Sequence, residues 1–193
     1  MEIGIPLHRS TPWLDSMHIL HRYGLVSLNE CKAIIDCVRS IDANQKTISS
    51  DTSLTYCNGE EILESSDFVY GLLFDISERV KSVAEESFGI ELFGTRIVVA
   101  ETIPGNTPEE HADSQNMDGT PKDGCNDFVV SSVVYFNDDF SGGELVFPKM
   151  PYSYRPIAGS CLIFPSDVSY SHYVDSVLSG SRLVFPLWFR AIV

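Results

Sequence analysis

The feature that most restricts the fold of this chain is a change of period at Gly89. Before it, Phe68, Val69, Leu72, Leu73, Ile76, Val80 and Val83 recur at helical spacing, which predicts a helix over about 66–88. Gly89 is a natural stop for that helix, because it enters a left-handed conformation without a Cβ penalty. An earlier helix is marked by Ser27-Leu28-Asn29-Glu30, a capping box, followed by Cys31, Ile34, Ile35, Val38 and Ile41. The polar stretch 42–66 between them reads as a loop or weakly paired hairpin. After Gly89 come short β-branched and aromatic runs at 95–102, 128–136, 144–147, 160–164, 171–175 and 181–192. Turn residues separate them, among them Pro104-Gly105-Asn106, Asn137-Asp138-Asp139 and Gly142-Gly143. Two helices followed by six or more strands predict an α+β antiparallel sandwich or jelly roll backed by N-terminal helices. The polar segment 114–126 interrupts the strands, and loops of that length are usually functional.

At 193 residues, without repeats or low-complexity linkers, the chain is expected to form one domain. Its helical part would cover about 1–89 and its jelly-roll core about 90–193. The net charge of −14 repels phosphate backbones and anionic bilayers, so neither nucleic acid nor membrane is an expected partner. No apolar run reaches the length of about 18 residues that a membrane span needs. The N-terminal residues lack an apolar signal core, which gives a cytoplasmic expectation. The five cysteines, Cys31, Cys37, Cys57, Cys125 and Cys161, include no CxxC pair and read as reduced, mostly buried thiols. No feature sets an oligomeric state, and Trp188 and Phe189 read as core.

Histidine is scarce, at five copies, and only His111 and His172 fall in the β-rich part. His111 and Asp113 would share one face of an extended strand, offering an imidazole and a carboxylate to a divalent metal. His172 from a later strand would complete a set of two histidines and one carboxylate, leaving three adjacent coordination positions open for oxygen chemistry. Chance alone gives about 0.4 H-x-D pairs in a chain of this composition, so an isolated pair equally describes packed or surface imidazoles. His8, His18 and His21 are irregularly spaced in a presumed helix or coil and read as surface or packing residues. Arg182 enters the apolar run Leu183-Val184-Phe185-Pro186-Leu187-Trp188-Phe189 alone. It either reaches out to a surface carboxylate or forms a fork for a buried one.

The block Asn137-Asp138-Asp139-Phe140-Ser141-Gly142-Gly143-Glu144-Leu145-Val146-Phe147-Pro148 settles the direction of the argument. With Val134-Tyr135-Phe136 before it, it resembles the strand–turn–strand of prolyl 4-hydroxylase-like Fe(II)/2-oxoglutarate dioxygenases. Pro156-Ile157-Ala158-Gly159-Ser160, Phe164-Pro165 and His172-Tyr173-Val174 through Gly180-Ser181-Arg182 follow in the family's order. Gly105 precedes His111-Ala112-Asp113 at the family's offset. The resemblance covers about 95–190. It implies a double-stranded β-helix with Fe(II) on His111, Asp113 and His172, the distal carboxylate of 2-oxoglutarate on Arg182, and Tyr135 and Thr102 beside it. O2 would be the second cosubstrate and ascorbate a candidate reductant. Fe(II) with one Asp leaves one positive charge, the cosubstrate adds two negative ones, and Arg182 restores neutrality.

Two positions depart from the prolyl 4-hydroxylase pattern: Arg182 stands where many members have Lys, and Thr102 where many have Tyr. Asp113 keeps the carboxylate that related halogenases lack, so the implied reaction is hydroxylation or desaturation. The expected activity is hydroxylation of an unactivated C–H bond in a small-molecule or amino-acid-like substrate, with 2-oxoglutarate converted to succinate. A peptidyl-prolyl 4-hydroxylase is the alternative within the class. A catalytically inactive jelly-roll binding or sensing module is the alternative outside it. Segments 47–61 and 114–126 would form lids, with Tyr56 and Asn116 as candidate substrate contacts. Nine acidic residues against one basic residue, Lys122, between Gly105 and Leu145 suggest a cationic substrate.

Overall fold

The computed structural model describes residues 18–48, 53–94, 96–105 and 107–192. Thr95, Asn106, His8 and part of the segment 47–61 lie outside them, as does any test of the N-terminal 17 residues.

The helices begin where their caps put them. Helix α1 (Leu28–Ser40) is held by the reciprocal pair at its start: Glu30 N donates to Ser27 Oγ at 3.3 Å and Ser27 N donates to Glu30 Oε2 at 2.7 Å. Helix α3 (Asp67–Phe88) is capped by Ser66, which accepts from Val69 N. It ends at Gly89, whose φ of 67° and bond from Gly89 N to Glu85 O close the last turn. Between them the structure adds a helix that the sequence reading left out, α2 (Gly59–Ser65), capped by Asn58 and Glu61. It buries only Ile62 and so carries no readable stripe.

The strands form two antiparallel layers. The larger sheet runs β1 (Leu20–Arg22), β10 (Cys161–Pro165), β6 (Phe128–Tyr135), β13 (Arg182–Ala191), β5 (Val98–Thr102), β3 (Leu54–Asn58) and β2 (Thr47–Ile48), in that spatial order. Strand β4 (Leu92–Gly94) pairs with the far end of β13, placing Leu92 opposite Ala191. The smaller layer holds β11 (Tyr173–Val174), β8 (Leu145–Phe147) and β9 (Tyr152–Tyr154), with a ribbon of β7 (Ser141–Gly142) and β12 (Val177–Ser179). The expected hairpin within 42–66 is therefore real. The region 1–89 is not purely helical, because β1, β2 and β3 belong to the main sheet. His21 accordingly sits in a strand, its Nε2 hydrogen-bonded to the Tyr152 hydroxyl.

Strand β13 is apolar on both sides because both sides are covered. Leu183, Phe185, Leu187 and Phe189 pack with α1 and α3 residues such as Ile34, Leu73 and Ile76. Arg182, Val184, Pro186 and Trp188 face the space between the layers. The alternation has the strand's period of two, and each fully buried Phe on the helix side contributes about 2–3 kcal/mol. All five cysteines are free, and four of them are buried. Burial pushes the Cys161 thiol up to about 12 and the Cys31 and Cys57 thiols up to about 11, so these groups stay protonated.

Candidate active site

His111 and His172 face each other across an antiparallel bridge, His111 N donating to His172 O at 3.0 Å and His172 N to His111 O at 2.8 Å. Their ring centres lie 4.7 Å apart. Ala112 turns into the interior, which leaves Asp113 on the side of His111. The Asp113 oxygens stand 4.0 Å from His111 Nε2 and 4.0 Å from His172 Nε2. One ligand atom from each residue lies within 4.8 Å of the others. Such separations exceed hydrogen bonds and suit three donors converging on one ion.

The imidazoles are also set in ligating form. His111 Nδ1 donates to Glu109 O at 2.8 Å and His172 Nδ1 to Tyr170 O at 3.0 Å. A carbonyl can only accept, so each Nδ1 carries a proton, and in the neutral ring this leaves the Nε2 lone pair to face the centre of the triad. Burial holds the His172 pKa below the ordinary imidazole value, against the opposing pull of Asp113. The loops that carry the three residues are latched: Ser171 Oγ donates to Glu110 Oε1 at 2.6 Å, and Ser114 Oγ to Ser166 O at 2.9 Å.

Arg182 begins β13, opposite Thr102 in the register, and is 3% exposed. Its guanidinium carbon lies 5.2 Å from the ring centre of Tyr135, a fully buried residue. Arg182 Nε and the Tyr135 hydroxyl have no hydrogen-bond partner. Among the described residues no carboxylate pairs with Arg182. Burial works against its charge and raises the Tyr135 phenol. A buried cation without a counter-charge costs several kcal/mol, so this end of the site is built for an anion. A carboxylate would satisfy both orphaned groups, which is the fit that 2-oxoglutarate requires.

The position of Arg182 is set by neighbours. Asn137, 6% exposed, donates through Nδ2 to Ser181 O at 2.7 Å and accepts from Leu183 N at 2.8 Å, bracketing it. At Gly143, with φ of 74°, a Cβ would stand 3.2 Å from Arg182 Cδ and 2.9 Å from the Phe140 ring, so the turn must leave that space empty.

The triad and Arg182 open on one cavity of about 130 Å³. Thr102 and Tyr56 are in its wall, whereas Tyr135 is fully buried and not part of it. Asn116 is not brought to the cavity: it is exposed, and its amide donates to Thr120 Oγ1 and Pro121 O within its own loop. Nor do the acidic residues of 105–145 collect there, Asp113 excepted. Asp127 pairs with Arg190, Glu144 with Arg155, and Asp138 accepts from Ala158 N. Sequence reasoning missed Trp188, which lines the cavity rather than the core, and Asn137, which it read only as a turn residue.

Comparison with known proteins gives the same direction. The 2OG-Fe(II) oxygenase superfamily pattern matches residues 98–190. Human prolyl 3-hydroxylase 2 is 28% identical over 140 residues, covering 61% of this chain and 20% of that protein. A PKHD-type hydroxylase of Acaryochloris marina is 30% identical over 128 residues, 62% of this chain and 55% of that protein. The chain thus spans about one fifth of the length of the first curated relatives it matches. The crystal structure of a viral collagen prolyl hydroxylase from Paramecium Bursaria Chlorella virus-1 superposes with a TM-score of 0.70 at 17% identity, over 93% of this chain and 99% of that one. That likeness carries the fold, a jelly roll with supporting helices. Sequence pattern and architecture agree: over residues 98–190 the chain is similar to the 2OG-Fe(II) oxygenase superfamily, and the relatives it resembles there include prolyl hydroxylases.

Proposed function

We propose that the chain is an Fe(II)- and 2-oxoglutarate-dependent hydroxylase acting on an unactivated C–H bond. His111, Asp113 and His172 hold the iron, and Arg182 takes the distal carboxylate of 2-oxoglutarate beside Thr102 and above Tyr135. The observation that carries this reading is the buried, uncompensated Arg182 opening on the same cavity as the triad. When bound, Fe(II) with 2-oxoglutarate and O2 supplies the oxidant that replaces C–H by C–OH, releasing succinate and CO2.

The chain's own contribution is placement. The two backbone-bonded imidazoles and Asp113 present two ring nitrogens and a carboxylate without rearrangement. Arg182 fixes the cosubstrate by its far end, so that its reactive end faces the triad. Leu54, Phe164 and Val184 keep the wall apolar and water out. The names of the sequence relatives support a prolyl residue of a peptide as the substrate, ahead of the free small molecule expected from chain length. A non-catalytic module is disfavoured, because it has no use for three converging donors beside a buried cation.

The test is anaerobic addition of Fe(II) and 2-oxoglutarate to metal-free protein, followed in the visible. A weak charge-transfer band is expected, absent in His111→Ala and needing at least about tenfold more 2-oxoglutarate in Arg182→Ala. Air and proline-containing peptides should then yield succinate with hydroxylated peptide. No band at saturating ligands would overturn the reading.

A further inference from the structure

The cavity that holds the triad does not end there. Asp113 and Trp188 line it and also line an adjoining concavity of about 320 Å³, whose remaining walls include Arg96, Phe128 and Arg190. The alternation of β13 explains the junction: Trp188 faces the same side as Arg182, further along the strand. Phe128 stacks on Trp188 with ring centres 6.2 Å apart and planes at 22°, stiffening this wall.

Two arginines stand on it, and they differ. Arg190 lies 4.9 Å from the Phe128 ring centre, and its charge is met by Asp127. Arg96 is exposed, and among the described residues it makes neither a hydrogen bond nor an ion pair. Its directional contact is the Trp188 ring, with the guanidinium carbon 5.7 Å from the ring centre. It also acts on the other wall, where its field opposes the burial that raises the Tyr56 phenol. An unpaired guanidinium is thus seated on Trp188 in a chain of net charge −14. Stacking leaves its in-plane donors free for a carboxylate. A cationic substrate, which the acidic stretch 105–145 had suggested, would meet like charge here.

We propose that Arg96, seated on Trp188, binds a carboxylate carried by the substrate close to the carbon that is oxidised, and so selects acidic over basic substrates. The inference rests on the reading above, in which substrate enters the cavity beside the triad. The net negative charge slows the approach of an anion, but that repulsion is screened beyond about 8 Å at physiological ionic strength. A charge-assisted hydrogen bond at contact is screened far less. Removing it should cost about tenfold in affinity.

The test uses the full chain in a Trp13→Phe background, so that Trp188 fluorescence alone reports binding. Fe(II) and 2-oxoglutarate are present without O2. The probes are three blocked pentapeptides that differ only in a Glu, Gln or Lys before a proline, together with N-acetylglutamate and N-acetylglutamine. The Glu peptide should bind about tenfold tighter than the Gln peptide, with Lys weakest. Arg96→Gln should level the series, and Arg96→Glu should invert it, which a merely destabilised protein cannot do. Acid preference confined to the N-acetyl amino acids would support the same contact with a free acid as its source. Equal binding of Glu and Gln peptides and of the two amino acids, no binding of any probe, or an unchanged order in Arg96→Glu overturns the inference. A visible band with a flat ranking sinks this inference alone, whereas the absence of a band sinks the functional reading beneath it.

Discussion

In Arg182 stability and function pull in opposite directions. Its charge is buried with no carboxylate among the described residues to meet it, so the protein without cosubstrate carries an unfavourable group that, on the proposed function, the cosubstrate relieves. Arg182→Met keeps the stem's packing and removes the charge. It should raise the melting temperature of the ligand-free protein by about 2–4 °C and abolish the further rise caused by 2-oxoglutarate. Thermal melts with and without cosubstrate measure both, and a lower ligand-free melting temperature would contradict the argument. Asn137→Ala tests the bracket around Arg182. Losing the bonds to Ser181 O and Leu183 N should cost about 2–3 kcal/mol in urea unfolding and raise the 2-oxoglutarate requirement in the visible titration. The difference between these two residues explains what could be read beforehand. Arg182 stood out because a cation is unusual in an apolar strand, and His111, Asp113 and His172 because scarce residue types stand in a recognisable order. Asn137 was not: Asn in a turn is commonplace, and its inward amide has meaning only once Ser181 and Leu183 fold back onto it. At Asn116 the fold acts in reverse, since the amide is taken up by its own loop.

Helix α1 shows how an element can be legible down to its cap. Ser27 and Glu30 form the reciprocal box, and Glu30 also accepts from Arg79 on α3, tying the two helices. The Arg79 bond, with the Ser27 bonds behind it, lowers the Glu30 carboxyl from 4.5 to about 2 in the folded protein. A carboxyl depressed on folding contributes stability above its unfolded value, and that contribution is lost as pH falls through the folded one. Glu30→Gln keeps an acceptor for the cap and removes the charge. It should cost about 1 kcal/mol at pH 7, a modest figure because Arg79 is 40% exposed. The gap should close steadily between about pH 4.5 and pH 2, as followed by urea midpoints of the two proteins. Long elements such as α1, α3, β6 and β13 repeat their period often enough to be seen. Strands of two or three residues, β1, β4, β7 and β9 among them, contain no full repeat and owe their existence to the neighbour they pair with. The expected strand at 95–102 begins at Val98 for a related reason: Arg96 and Ile97 suit a strand by type, but β3 reaches β5 only as far as Val98, opposite Asn58.

The molecule as a whole separates its charges by depth. The main sheet buries one cation, Arg182, beside the triad, while the other charged side chains of the described residues are exposed or half-buried and the chain's net charge is −14. The surface ion pairs, such as Lys32–Asp36 and Arg155–Glu144, involve side chains up to 73% exposed and contribute under about 1 kcal/mol each. Self-repulsion of the excess carboxylates therefore outweighs them. Raising NaCl from about 10 to 300 mM shortens the screening length from roughly 30 Å to about 6 Å and should raise the melting temperature by a few degrees. A surface anion site would behave in the opposite way, losing affinity as salt competes for its cation. Arg182 lies in the buried wall of the cavity, where salt screens little, and the surrounding net charge repels the dianion most at low salt. The dissociation constant of 2-oxoglutarate should therefore stay level or fall across the same series. Thermal melts and visible titrations on one set of buffers measure both trends. A several-fold loss of 2-oxoglutarate affinity with rising salt would place the carboxylate in solvent rather than on Arg182, and a falling melting temperature would show that the surface pairs, not the excess charge, govern the electrostatics of the fold.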